Sequence, residues 1–181
     1  RLRALAENPG ARSRAGFASL ATCLRPRDAK PVLDRGPLAG DRRRMAIELH
    51  GPEDIAALRR AGQVAAATLR EVGSRLRPGI TTAQIDQWVR EDTARRGARP
   101  SQLGARSGTA PPFPASVCVS RNQVVCHGVP SSHERLAEGD IVNLDVTSEL
   151  DGFHGDTSAT FLIGVVDAER RALVERTREA L

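Results

Sequence analysis

Two runs rich in strand-forming residues, 140–149 and 153–163, meet at the dipeptide Asp151-Gly152. Asp-Gly supplies the positive-φ pair that a two-residue hairpin loop requires, so these runs predict two antiparallel strands in fixed register. With the turn centred on Asp151-Gly152, residue 145 lies opposite residue 158. Side chains alternate between faces along a strand, so residue 156 shares the face of residue 158 and is the diagonal neighbour of residue 145.

Asp occupies both 145 and 156. Aspartate is depleted in strands, and a buried carboxylate is costly unless it is paired or binds a cation. A lone strand Asp reads as a solvated side chain. Two on one face, roughly 7–8 Å apart between backbones and flanked by Ile141, Val142, Leu144, Val146 and Phe161, read as ligands converging on metal. A one-residue slip would send them to opposite faces. Carboxylate oxygens suit divalent Mn, Fe, Co or Zn.

The hairpin follows two predicted helices. Ile55, Leu58, Ala61, Ala65, Leu69, Val72 and Leu76 recur at steps of three and four over 53–76, a helical stripe with Pro52 at its start. A second helix is predicted over about 82–96, with Thr81 and Gln84 at capping-box spacing, Ile85, Trp88 and Val89 as its apolar face, and Gly97 closing it. Residues 98–115 read as a Pro-rich loop, 116–120 and 124–127 as short strands, and 128–130 as a turn. A third helix is predicted from Asp167 onward and has no C-capping residue in the sequence.

Charge divides the chain in two. Residues 1–44 carry 11 Lys and Arg against 4 Asp and Glu, whereas 45–181 carry 16 against 18. The basic pI therefore belongs to the first stretch and argues for no specific nucleic-acid partner of the remainder. Residues 1–44, rich in Arg, Pro and Gly, read as a poorly ordered leader: an upstream frame, a transit peptide, or a basic arm that meets ribosomal RNA. The one methionine, Met45, precedes the first organised segment. No apolar run approaches the roughly 18 residues that span a bilayer. Three sparse cysteines, Cys23, Cys118 and Cys126, fit a reducing, cytoplasmic setting and match no zinc-finger spacing.

Three segments carry a resemblance. Ser116-Val-Cys-Val-Ser-Arg-Asn-Gln-Val-Val-Cys-His-Gly-Val-Pro130, Glu138-Gly-Asp-Ile-Val-Asn-Leu-Asp-Val-Thr147 and Asp151-Gly-Phe-His-Gly-Asp-Thr-Ser158 resemble the signatures of type I methionine aminopeptidases. Pro78-Gly-Ile-Thr-Thr82 matches too, and the likeness covers 45–181. It implies an α/β (α+β) pita-bread, creatinase-like fold: helices outside a curved antiparallel sheet, with this chain supplying about the first half.

The implied activity is removal of the initiator methionine from nascent polypeptides when the second residue is small. Two divalent metal ions would serve it, with Asp145 as first ligand and Asp156 bridging them. His127 would contact the scissile peptide, and Cys118 and Phe113 would line the methionine pocket. Asn122 and Val124 fall near a monovalent-cation site. A monomer, free of membranes and able to associate with the ribosome, is also implied.

The resemblance further implies a His and two Glu as ligands. No His follows His154, and Glu169, Glu175 and Glu179 have surface-like spacing on the last helix. The chain is therefore expected to end within an element, lack a complete dinuclear site and be inactive alone. The segment 107–115 also lacks the polar groups the family places at its pocket mouth. His154 reads as a partner behind the ligands or as a turn residue. Two rivals stay open: a non-catalytic pita-bread binding protein, and a prolidase-like peptidase.

Overall fold

A computed structural model describes residues 49–181. The predicted leader and Met45 lie outside the described residues.

Helix α1, Pro52–Gly73, opens with Pro at its first turn and with Glu53 and Asp54 where the helix dipole favours negative charge. Its buried side is built from small residues, Ala57, Ala61 and Ala65, followed by Thr68, Leu69 and Val72. The predicted stripe is thus correct from Ala61 to Val72, but Ile55 is 48 % exposed. The helix stops at Gly73, three residues before the predicted end, and Leu76 packs on the core from the turn that follows. Helix α2, Thr82–Arg95, starts at the predicted capping box. Gln84 N–H donates to Thr81 Oγ1 at 3.1 Å, and Thr81 N–H donates to Gln84 Oε1 at 2.8 Å.

Four strands make one antiparallel sheet: β1, Arg99–Pro100; β2, Cys118–Arg121; β3, Ile141–Leu150; β4, Phe153–Leu162. The central strand is β3. Along one edge runs β4; along the other, β1 and β2 follow each other end to end. Asp151 (φ 54) and Gly152 (φ 83) form the two-residue turn, and the Gly152 N–H donates to Glu149 Oε1 at 2.9 Å. The hairpin register is the predicted one, Asp145 opposite Ser158 and Thr147 opposite Asp156.

Two readings need correction. The loop 98–115 contains β1, whose residues Arg99 and Pro100 pair with Glu149 and Ser148. Residues 124–127 form no strand. Asn122 at φ 49 and His127 at φ 55 turn the chain out of the sheet, and Val125 is 92 % exposed. The chain returns at Gly128, whose carbonyl accepts from Val119 N–H at 2.9 Å.

Helices α1 and α2 cover one sheet face. Val142, Leu144 and Val146 of β3 point there and join Leu69, Val72, Ile85, Val89 and Leu136 in a single core. Each such side chain, fully removed from water, contributes about 1.5–3 kcal/mol. At Gly155 the strand β4 presses on α1 so closely that a Cβ would overlap the backbone of Ala61 and Gly62. The last helix, α3 (Ala168–Glu179), is capped by Asp167, which accepts from Arg170 N–H at 2.8 Å. It buries Val174 alone. No helix among the described residues is long and apolar enough to cross a membrane.

Candidate metal centre

Because β3 sends Val142, Leu144 and Val146 to the helices, Asn143, Asp145 and Thr147 face the other way. The register brings Asp156 of β4 beside them. Thr147 Oγ1 donates to Asp156 Oδ1 at 3.0 Å, fixing that carboxylate. Burial, then the negative charge of Asp156 and a hydrogen bond with it, raise the Asp145 carboxyl to about 6, against a lowering pull from His127. Two carboxylates held this close repel one another, and a cation between them would relieve the repulsion. Oxygen donors with surplus negative charge fit a divalent metal ion.

Cys118 of β2 is the cross-strand neighbour of Asp145 and is 5 % exposed. Burial, and after it the charges of Asp145, Cys126 and Asp156, push its thiol up to about 11. It is therefore a neutral, soft wall at physiological pH rather than a thiolate ligand. Gln102 Nε2 donates to its sulfur at 3.7 Å. His127 rides on the loop after β2, held where Gly128 N–H donates to Ser120 Oγ at 3.2 Å. A Cβ on Gly128 would overlap the Val119 carbonyl, so this loop has one seat.

Asp145, Asp156, His127, Cys118 and Phe113 line one cleft of about 330 Å³. Every residue singled out from the sequence for metal, peptide or side-chain contact is thus brought together. Asn122 and Val124 are not part of this cleft. Both polar groups of the Asn122 side chain are engaged: its Nδ2 donates to Asp140 at 2.7 Å, and its Oδ1 accepts from Ile141 N–H at 3.1 Å. His154 is no mere turn residue. Its Nδ1 is hydrogen-bonded to Ser101 Oγ at 2.8 Å, and burial, then Arg99, lower its pKa.

Three neighbours of the site escaped the sequence reading. Thr147 could have been found, since the predicted register sets it opposite Asp156. Gln102 and Ser101 carry no local signal, because they reach the site from an irregular segment. Among the described residues no group of three or more His, Cys, Asp or Glu assembles to hold a metal, so of the five ligands that the resemblance implies, only the two carboxylates have candidates here.

Comparison with known proteins shows the family and the fold. Residues 56–181 match the profile of metallopeptidase family M24. Methionine aminopeptidase 2 of Mycobacterium tuberculosis is 48 % identical over 129 residues, covering 71 % of this chain and 43 % of that protein. Methionine aminopeptidase B of Synechocystis is 42 % identical over 135 residues, covering 75 % and 49 %. The crystal structure of methionine aminopeptidase from Rickettsia prowazekii superposes with a TM-score of 0.70 at 36 % identity, over 75 % of this chain and 52 % of that one. The chain spans about half the length of the relatives it matches, or less, and its α/β architecture is the corresponding part of their pita-bread fold. On the matched profile and these likenesses together, the chain belongs to metallopeptidase family M24.

Proposed function

We propose that residues 45–181 form the first part of the catalytic domain of a type I methionine aminopeptidase, which removes the N-terminal methionine of nascent polypeptides when the second residue is small. The observation that carries this reading is the cleft itself: two adjacent carboxylates, one imidazole and an apolar wall face the same space. The names of the relatives support it.

In this reading Asp145 and Asp156 would hold two divalent ions, Co, Mn, Fe or Zn. When bound, such ions supply Lewis acidity toward a peptide carbonyl and toward water. Thr147 keeps Asp156 aimed into the cleft. His127 reaches the scissile peptide from the loop after β2 and hydrogen-bonds the charge that develops there. Cys118 and Phe113 accept the methionine side chain, to which a neutral thiol and an aromatic ring are both complementary. A His and two Glu complete the ligand set in this reading, and no described residue takes their place beside the pair.

The remaining parts follow the same reading. The substrate is a polypeptide N-terminus, met in the cytoplasm by a monomer that can associate with the ribosome. The basic stretch 1–44 lies outside the catalytic domain. A monovalent cation near residues 122–124 would have to use backbone oxygens, since the Asn122 side chain is committed.

The test is turnover of a Met-Ala peptide against an Xaa-Pro peptide by the full-length protein with Mn²⁺ or Co²⁺. Cleavage of Met-Ala alone supports the reading. Cleavage of Xaa-Pro alone assigns a prolidase-like enzyme, and the absence of specific metal binding assigns a scaffold.

A further inference from the structure

The segment 101–113 forms the side of the cleft that no regular element supplies. It enters from β1 and closes on itself by two backbone bonds: Gly104 N–H donates to Phe113 O at 2.8 Å, and Phe113 N–H donates to Ala105 O at 2.8 Å. Phe113 is twelve residues from Ser101 in sequence, yet these bonds set it beside residues 104–105. Where Ser101 and Gln102 sit therefore decides where Phe113 sits.

Ser101 is held at two points. Its N–H donates to Thr147 O on β3 at 2.9 Å, and its Oγ bonds His154 Nδ1 on β4 at 2.8 Å. Thr147 in turn holds Asp156, and Asp156 lies two residues beyond His154 on the same strand and face. The four residues form a closed circuit joining the loop to the carboxylate pair. From it Gln102 reaches Cys118, across from Asp145.

We propose that His154 is a positioning residue: through Ser101 it holds segment 101–113 beside Asp145 and Asp156, so that Gln102 and Phe113 close the pocket receiving the substrate's first side chain. This rests on the reading of the cleft as an aminopeptidase site. His154 Nδ1 is committed to the loop, and His154 is not among the residues lining the cleft.

Cys118 reports the loop's position, and the exposed Cys126 provides an internal standard. The experiment is iodoacetamide labelling of the full-length protein, mapped by mass spectrometry, for Ser101→Ala, His154→Ala, the double variant and Ser101→Thr. Loss of the tether should speed Cys118 labelling relative to Cys126 roughly fivefold, as expected for a local opening freed of one hydrogen bond. The double variant should match either single one, and Ser101→Thr should restore protection. In turnover of a Met-Ala peptide, both Ala variants should raise KM more than they lower kcat.

Unchanged Cys118 protection in Ser101→Ala overturns the proposal, even where His154→Ala fails to fold, since that variant breaks the same bond without altering β4. A fall in kcat at unchanged KM overturns it as well. Protection of wild-type Cys118 by free L-methionine tests the pocket separately. Its absence overturns the substrate half of the proposal and the reading beneath it, while faster labelling in the Ala variants would still establish the tether.

Discussion

Asp145 and Asp156 sit together at an energetic cost. Asp145 holds its proton to about pH 6, through burial first and the charge of Asp156 second. The sign of the linkage follows. A folded pKa above the unfolded value of 3.8 stabilises below the unfolded value, and that contribution is lost as pH rises through 6. In EDTA at pH 7.5, Asp156→Asn should therefore raise stability, since it removes the neighbouring charge while burial, the larger cause, remains. A urea melt measures this, and a lower midpoint would contradict the picture. If the proposed metal site is right, the same variant should weaken Mn²⁺ or Co²⁺ binding by more than about tenfold in titration calorimetry, since a hydrogen-bonded carboxylate becomes a neutral amide. This pair was legible in the sequence because a strand has period two and a two-residue turn leaves no freedom of register. Ser101 and Gln102 were not, because their partners lie on strands distant in sequence and no periodicity marks an irregular loop.

Elements were legible where local chemistry and packing agree. The Thr81 cap announces α2 in four residues, and Thr81→Ala should cost about 1 kcal/mol, seen as a lower Tm with the fold retained. The pair Val124-Val125 misled, since β-branched residues suggest a strand. Asn122 and His127, both at positive φ, turn the backbone away before any pairing can form. The early stripe of α1 misled in another way. Ile55 fits the helical period, but the contact with the sheet is made by alanines, because β4 approaches too closely for larger side chains. Gly155 marks that approach, and Gly155→Ala should cost about 1–3 kcal/mol through overpacking. The helix backbone cannot yield as a flexible side chain would. Unaltered urea stability in Gly155→Ala would show that β4 and α1 are looser than described.

For the molecule as a whole, acid and base act on different carboxylates. Burial alone would raise Asp140, but hydrogen bonds from Asn122 and the Ala137 N–H, and then Arg121, hold it below 3.8. Asp92 is likewise buried and drawn below 3.8, by Arg96 and Arg95 among its partners. Such groups stabilise above the unfolded pKa, and the contribution disappears as pH falls through the folded one. Asp145 acts in the opposite sense. Metal-free protein should therefore be most stable near about pH 4, its Tm falling below that as Asp140 and Asp92 are protonated and falling again as pH rises toward 6 and Asp145 ionises, and added Mn²⁺ should lift the upper side alone. A Tm that climbs steadily to pH 8 in EDTA would refute this. Removal of residues 1–44 should leave the profile unchanged, because the three carboxylates that set it, Asp92, Asp140 and Asp145, lie in the later part of the chain. Circular dichroism melts of the two forms provide the comparison.

The turn at Asp151-Gly152 also bears on how the protein ages. Asp-Gly sequences rearrange slowly when the glycine amide nitrogen attacks the aspartate side chain, and the product carries one extra backbone atom. Here that amide is donated to Glu149, so the attacking nitrogen is held in a bond and the turn is shielded from its own chemistry. Where Glu149 is replaced by Ala, the rearrangement should accumulate on storage, readable as isoaspartate by mass spectrometry. Each altered molecule would have a longer turn, and β4 would carry Asp156 out of line with Thr147, so the shelf life of the cleft is set at the far end of the hairpin.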